Sequence, residues 1–529
     1  MAIMAMDMAK KPNKKVILFS LLFMQLGHAG EWRFDPSITL DGTYTDNVTL
    51  TKNNKIGSFV SQTALGLTSE FKSRIVEFSF EGSNTYVTYS NDHNLDDYFT
   101  KLTTDFRYNL WTNGPAFVAS ANIDNRSRNG ANNSLADLVS ADTVEVRNYQ
   151  TGFNYQINNS DFTINSLISY QIREADDNIG NSTGYAAMFN GNNGLSARYW
   201  LWQIKSEYSE RKNNSLTGRI YRVEALTGII TSVGFSPFIR LFDENSTGSI
   251  SGNRNTSYAS WGPGFRWRTS SHFYIDLSYN YVDDKTKSDN YVAAQISWQP
   301  SARTSLEASY SKRFFGDSYA LDFTHKLRRL TNSISYTEKV EAFDRNSYQQ
   351  VLLGNFWCPI DANLTNDISA CFLANGDNID FNNYQLVTLS DQELIEGNEF
   401  SLNKILRWQS ELKLARTTFS FVARDFKRES LTTDRIEKNL TSTFSISRRI
   451  SGKSDLKIAV NFTRRSFDSN NIATNGQKDY YRTISTTYSK KLASSLSSNF
   501  SLRYLDRNST IAFRTYNEAR IVFNLKKEF

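Results

Sequence analysis

From Trp32 almost to the last residue, apolar and polar side chains alternate with a period of two. Phe273, Ile275, Leu277, Tyr279 and Tyr281 enclose Asp276, Ser278 and Asn280. Val292, Ala294, Ile296 and Trp298 alternate with Ala293, Gln295 and Ser297, and Leu306, Ala308 and Tyr310 with Glu307, Ser309 and Ser311. Leu456, Ile458, Val460 and Phe462 enclose Lys457, Ala459 and Asn461. A helix would spread such residues around its circumference, whereas a strand sorts them onto two faces. The chain is predicted to be all-β.

A soluble sandwich would alternate in the same way, so the connections decide the class. Tight links fall near Ala493 to Ser495, Ser451 to Ser454, Arg416, Arg328 to Thr331, Pro300 to Arg303 and Thr269 to Ser271. Longer polar links lie between them: Arg507 to Ile511, Asp468 to Lys478, Glu429 to Ile436, Ala342 to Glu399 and Asp283 to Asn290. Short periplasmic turns taking turns with longer extracellular loops are the habit of outer-membrane barrels. This register predicts a large antiparallel transmembrane β-barrel of about 24 strands, within a range of roughly 22–26, both termini periplasmic. The Gly- and Asn-rich stretch from Tyr185 to Ala197 gives the weakest strand signal.

Two further signals agree. Placing the tight turns in the periplasm puts Trp111, Trp200, Trp202, Trp267 and Trp298 close to one interface, as an aromatic girdle requires. In the last segment Ala519, Ile521, Phe523, Leu525 and the terminal Phe529 share one face, with Glu518, Arg520 and Asn524 on the other. An amphipathic final strand ending in Phe resembles the signal read by the barrel assembly machinery, so Phe529 is the expected assembly signal.

Composition fixes the compartment. Lys10, Lys11, Lys14 and Lys15 precede an apolar run from Val16 to Leu26, and Gly27-His28-Ala29 supplies the small residues of a cleavage site. Residues 1–29 read as a secretion signal, leaving 30–529 as one barrel. Strand-like alternation starts directly after it, which leaves no stretch for a globular plug. Hydrophobic residues are only 39% and mean hydropathy is negative, against a helical membrane protein, while 36 Phe and 27 Tyr argue against disorder. Net charge is +6, or about +3 without the signal, so nucleic acid is not an expected partner. Outer-membrane lipid and lipopolysaccharide are.

Chemistry-bearing motifs are sparse. His93 lies in Asn91-Asp92-His93-Asn94 near Asp96 and Asp97, which would suit a rim hydrolase but reads more simply as a solvated loop. His272 falls in a turn and His325 near a strand end, and neither has a nucleophile at a recognisable spacing. No metal-ligand cluster or phosphate loop is present, and no catalytic residue, metal or cofactor is expected. Cys358 and Cys371 share the long connection at about 342–399, and a secreted chain makes a loop-stapling disulfide the natural reading. That connection could fold inward as a constriction or outward as a cap.

The inward face is the expected seat of function. On the C-terminal strands it collects Arg407, Lys413, Arg424, Arg449, Lys457, Arg465, Arg503 and Arg520, against Glu411 and Glu518. Earlier faces are mixed, with Asp276, Glu307, Arg313, Asp322 and Lys326. A basic lumen favours anionic solutes through its field, while the same charges in a salt-bridge lattice would merely fill the barrel. Both readings stand at this point.

The segment Trp32-Arg33-Phe34-Asp35-Pro36-Ser37-Ile38-Thr39-Leu40, followed by Tyr44-Thr45-Asp46-Asn47-Val48, resembles the start of the outer-membrane β-barrel family associated with PEP-CTERM/exosortase systems. In that family an aromatic and a Pro open the first strand and a Tyr-x-Asp-Asn element ends it. The barrel-like pattern and terminal Phe extend the similarity along the mature chain. The resemblance implies an envelope role beside exopolysaccharide biosynthesis and protein sorting, and brings no catalytic residues. The expectation is a non-enzymatic, porin-like channel for an anionic exopolysaccharide or related solute. The alternatives are a filled structural or adhesive barrel binding extracellular polymer, and a rim hydrolase using His93.

Overall fold

The computed structural model describes residues 30–129, 137–140, 143–194, 196–231, 234–250, 256–283, 289–343, 347–360, 372–374, 383–395, 397–433, 435–468, 477–511 and 514–529. The expected signal segment lies outside them. The strands are β1 (Glu31–Thr45), β2 (Ser58–Lys72), β3 (Val76–Tyr89), β4 (Asp97–Asn109), β5 (Ala116–Ser127), β6 (Thr143–Asn158) and β7 (Phe162–Ala175). There follow β8 (Ser182–Asn193), β9 (Trp200–Asn213), β10 (Leu216–Ile229), β11 (Phe235–Gly248), β12 (Tyr258–Ser270), β13 (Phe273–Val282) and β14 (Tyr291–Ser301). Next come β15 (Thr304–Arg313), β16 (Gly316–Lys326), β17 (Leu330–Ala342), β18 (Ser347–Pro359), β19 (Phe372–Leu373), β20 (Tyr384–Ile395) and β21 (Phe400–Lys413). The chain ends with β22 (Thr417–Ser430), β23 (Ile436–Ser451), β24 (Ser454–Asp468), β25 (Lys478–Lys491), β26 (Leu496–Ser509) and β27 (Tyr516–Glu528).

Twenty-four of these form one antiparallel sheet in which each strand pairs with the next, β17 pairs with β21, and β27 returns to β1. The ring is closed, as lipid demands of a spanning sheet. Its outer face carries exposed Leu65, Ile168, Ile239, Val460 and Phe523, while Ser, Thr, Asn and charged residues alternate inward. Trp32 joins the five expected tryptophans at the tight-turn end, and Tyr44, Tyr98, Tyr185 and Tyr281 mark the other. Both termini sit at the tight-turn end, where the Phe529 N–H donates to the Pro36 carbonyl at 2.9 Å. Two outer connections depart from the expected length rule: Asn214-Ser215 and Phe314-Phe315 are as tight as the periplasmic turns.

The Asp46-Asn47 pair was read as a strand-end turn, and it also seals the ring. Asp46 N–H donates to the Ala519 carbonyl at 3.2 Å and its carboxylate accepts from Ala519 N–H at 2.7 Å. Buried Asn47 donates to the carbonyls of Thr51 and Asn517 at 2.6 and 2.8 Å, tying the β1–β2 loop to β27.

The wall is not circular. A circular ring of 24 strands would be roughly 50 Å across, and strands seven apart would stand roughly 40 Å from each other. Yet Cα atoms of β10 and β17 approach within 8 Å. A Cβ placed on Gly218, on the inward face of β10, would lie 3.1 Å from the Ala342 Cβ of β17 and 2.6 Å from Ile250 Cδ1. Val340, Ala342, Phe343, Phe400, Leu402, Leu431 and Ile250 form one buried apolar cluster at this crossing, against Leu216, Ile220, Phe314 and Phe315. Phe343 holds a left-handed φ of 54° and is 1% exposed, so packing fixes a backbone that a non-glycine residue disfavours. The upper half of β17 thus crosses the lumen and divides it. On one side is a lobe of eight strands, β10 to β17; on the other, a lobe bounded by the remaining strands.

Loops narrow the mouth further. Leu50 packs on Tyr481, Leu505 and Tyr516, and Val139 on Val60, Val87 and Tyr89. The 342–399 connection contains a separate three-stranded sheet, β18 to β20, which the sequence pattern did not suggest. Its Leu394 packs with Phe467 of β24 and Ile179 of the β7–β8 loop, which lie nearly opposite in the ring. The connection therefore lies across the mouth as a cap. Cys358 is fully buried and disulfide-bonded, whereas Cys371 lies outside the described residues.

Replacing Asn47 by Ala removes the side chain that ties β1 to β27 and should cost about 1–3 kcal/mol. The urea midpoint of the refolded barrel reads this directly; an unchanged midpoint would show that the ring closes without it.

Candidate functional site

Strand register fixes which charges share the lumen. Thr45 is buried inside the barrel and stands opposite Arg520, which in turn stands opposite Arg503. The same alternation carries Lys457 and Arg465 of β24, Arg449 of β23, Arg424 of β22 and Arg407 and Lys413 of β21 onto that face. All eight residues singled out from sequence therefore point inward, as do Glu411 and Glu518.

Their surroundings separate them into two groups. Arg465 meets Glu437 at 2.7 Å, Lys413 meets Glu411 at 3.2 Å, and Arg520 is clamped between Glu518 and Asp137, the latter at 2.8 Å. Arg407, Arg424, Arg449, Lys457 and Arg503 have no carboxylate within 4.0 Å among the described residues. Moreover Arg407 stands directly across from Arg424, and Arg503 across from Arg520. Like charges in direct cross-strand register are destabilising. A wall that keeps them carries an outward-reaching positive field.

The expected eight-to-two balance needs correction. Glu437, Asp455 and Asp479 also face inward, as do Arg428 and Arg507. Arg507 had been assigned to a loop, but β26 continues to Ser509 and buries it against Asp479 at 3.1 Å, at 1% and 0% side-chain exposure. Glu437 and Asp479 stand directly after the links from Glu429 to Ile436 and Asp468 to Lys478, at strand starts that carry no apolar alternation. Strands of this barrel outrun the membrane belt, and their polar ends read as loop. Continuing each two-residue alternation into the polar segment would have found them.

The eight-stranded lobe is different. Three of its arginines form closed pairs, Arg240 with Glu224 at 2.8 Å, Arg266 with Asp276 at 2.6 Å, and Arg313 with Glu244 at 2.6 Å, while Glu307 and Asp322 stand across from each other. Arg240 also donates to Asn280, Tyr291 and Ser311. Asp276, Glu307, Arg313 and Asp322 all face this interior, as expected from sequence.

The histidines lie elsewhere. His93 opens a 3-10 turn and is exposed, its Nδ1 3.2 Å from Asp96. Burial tends to raise the Asp96 pKa, but hydrogen bonds from the Tyr89 N–H, Thr88 and His93 outweigh it and hold the carboxyl below its usual value. Asp96 thus caps the loop, and among the described residues no serine or cysteine joins the pair. His272 contacts Ser271 in a periplasmic turn, and His325 faces lipid beside Phe323. No metal-ligating cluster occurs among the described residues.

An even, closed, antiparallel ring with an apolar belt, aromatic girdles and both termini at the tight-turn end defines a bacterial outer-membrane β-barrel. No family model and no curated protein matches the chain. Among solved structures it is similar to a loop-deletion mutant of OmpT, an outer membrane protein of Vibrio cholerae, at 8% identity over 95% of this chain and 100% of that one, with a TM-score of 0.35. It is also similar to the ferric enterobactin receptor PfeA of Pseudomonas aeruginosa, at 9% identity over 94% and 81%, with a TM-score of 0.45. The siderophore receptor PirA of Acinetobacter baumannii gives 9% over 94% and 80%, and 0.41. Likeness at this level identifies no ligand, and the class rests on the barrel itself.

Arg507→Ala would strand a buried Asp479 carboxylate and should destabilise the barrel by about 3–5 kcal/mol. Arg507→Met with Asp479→Leu should restore most of that loss in the urea midpoint, whereas equal loss in both variants would assign the effect to packing.

Proposed function

We propose that this barrel is a non-enzymatic channel whose wider lobe passes an anionic solute. The observation that carries the reading is the row Arg407, Arg424, Arg449, Lys457 and Arg503 on one wall of that lobe, cations outside any ion pair among the described residues, with Asp455 across from Arg449 the one acid in direct register with them. A low-dielectric channel wall of one sign raises the local concentration of the opposite ion. The wider lobe, bounded by β17, β21 to β27 and β1 to β10, has the strand number of barrels that leave an aqueous path, roughly 16–18. The resemblance at Trp32–Leu40 and Tyr44–Val48 points to the solute class, an anionic exopolysaccharide, and to envelope biogenesis as the setting. Phe529, exposed at the periplasmic end, serves assembly, as the feature read by the barrel assembly machinery.

A second reading is a filled structural or adhesive barrel whose loops bind extracellular polymer. It is favoured by the cap that Leu394 anchors across the mouth. The two readings differ in conductance. The mature protein refolded into a planar bilayer should give steady, anion-selective single channels, and Arg407→Glu with Arg424→Glu should reverse the selectivity. Silence from folded protein would favour the filled barrel, and selectivity indifferent to the two reversals would remove the basic wall from the mechanism. His93→Ala should leave every property unchanged; loss of a hydrolytic activity on that change would restore the rim hydrolase.

A further inference from the structure

The eight-stranded lobe has a break in its wall. Pairing between β16 and β17 stops at Leu321 and Tyr336, although β16 continues to Gly316 and β17 to Ala342. Above that point β17 leans toward β10, and a seam opens. Glu338 fills it. By alternation Glu338 continues the lipid-facing row of Ile334 and Tyr336, yet its side chain is only 2% exposed. Its carboxylate accepts from Ser318 Oγ at 2.7 Å, from the Tyr319 N–H at 3.3 Å and from the Tyr336 hydroxyl at 2.7 Å, with Lys404 3.5 Å away. One side chain thus substitutes for a stretch of backbone ladder, which lipid otherwise requires to be complete.

The seam has a chamber behind it and a membrane in front of it. The chamber is a cavity of about 460 Å³ whose lining runs from Arg222 and Glu224 to Ser318, Ala320, Thr337 and Glu338. That size lies within the range of small-ligand sites, and an eight-stranded enclosure is the size that holds one small ligand. In front, Tyr310 and Tyr319 pack with centroids 5.4 Å apart and planes tilted by 39°, and Tyr319 is half exposed. The wall here is the shortest in the barrel. β13 to β16 have only 10 or 11 residues each, which at the usual tilt makes them roughly 26 Å tall, about the height of the apolar belt. The upper end of this wall, where the seam lies, therefore faces the outer leaflet. Other ladders are interrupted too: between β4 and β5 above Leu102 and Ile123, where Asn125 donates to the Thr100 carbonyl and the chamber does not reach, and between β14 and β15 above Ala294 and Tyr310, which line the same chamber.

We propose that the β16–β17 seam is a lateral port and the chamber behind it a binding site for a membrane amphiphile. Paired charges line the chamber without a dominant sign, which suits a zwitterionic head; the aromatic flank and the gap suit hydrocarbon chains left in the leaflet. The occupant is a phospholipid of the phosphatidylethanolamine type that has crossed into that leaflet, entering sideways, with its head among Arg222, Glu224 and Ser318 and its chains passing Glu338. This site is independent of conduction through the wider lobe.

The test uses the full mature chain refolded in phosphatidylethanolamine–phosphatidylglycerol vesicles, with folding scored by migration without boiling. Ser309, inward beside Ala320, and Ala308, outward beside Leu321, are each replaced by benzoylphenylalanine and irradiated. Ala320→Cys with Thr337→Cys, the next pair in register, locks the seam on oxidation. We expect phosphatidylethanolamine adducts at both positions in the reduced protein, and loss of the adduct at 309 alone on oxidation. Glu338→Ala, which frees the seam, should raise the adduct at 309 without the lock. Labelling at 308 with none at 309, an adduct at 309 indifferent to both changes, or phosphatidylglycerol adducts alone at 309 would overturn the proposal.

Discussion

A closed ring of 24 strands encloses more space than its own side chains can fill. Lipid forces the closure, because every backbone donor and acceptor in the hydrocarbon must find a partner within the sheet. The resulting interior is left either to water or to whatever the wall and loops place there. Nearly every distinctive feature of this protein follows from how that space is taken up. The wall folds until β17 meets β10, an apolar cluster around Phe343 and Leu402 fixes the crossing, and loop residues such as Leu50, Val139 and Leu394 pack into the mouth.

The division also sorts charge. Within the eight-stranded lobe, Arg240, Arg266 and Arg313 each have a carboxylate within about 2.8 Å, so these guanidiniums are satisfied. Buried pairs of this kind are dangerous to break and contribute little net stability relative to apolar packing. Along β21 to β26 the balance differs, since Arg407 faces Arg424 and Arg503 faces Arg520. Such a wall is tolerable only where water or a mobile anion screens it. One barrel thus holds a largely ion-paired compartment and an electropositive wall side by side.

Much of this was legible in the chain. Residues alternating two by two give the strands and their faces, so Trp267, Val460 and Arg424 could be assigned outward or inward without any structure. Alternating turn lengths give the topology, and the strand number follows. What escaped is long-range. A flat wall and a folded wall have the same alternation, so nothing local in Thr337–Ala342 announces that this segment leaves β16 for β10. Glu338 reads as one more polar residue. Arg507, Glu437 and Asp479 escaped because strand ends above the belt lose the apolar half of the pattern. The Asp46-Asn47 pair was legible as a strand end, but its bonds to Asn517 and Ala519 join opposite ends of the chain.

The folding of the wall is open to one decisive cross-link. Gly218→Cys with Ala342→Cys places two thiols where a Cβ on residue 218 would lie 3.1 Å from that of Ala342, within reach of a disulfide after small adjustment. In the refolded barrel, mild oxidation should join them in nearly every molecule, without loss of the heat-dependent gel shift. If the ring is open and round, the two positions stand roughly 40 Å apart, and folded protein that stays uncross-linked would contradict the divided lumen.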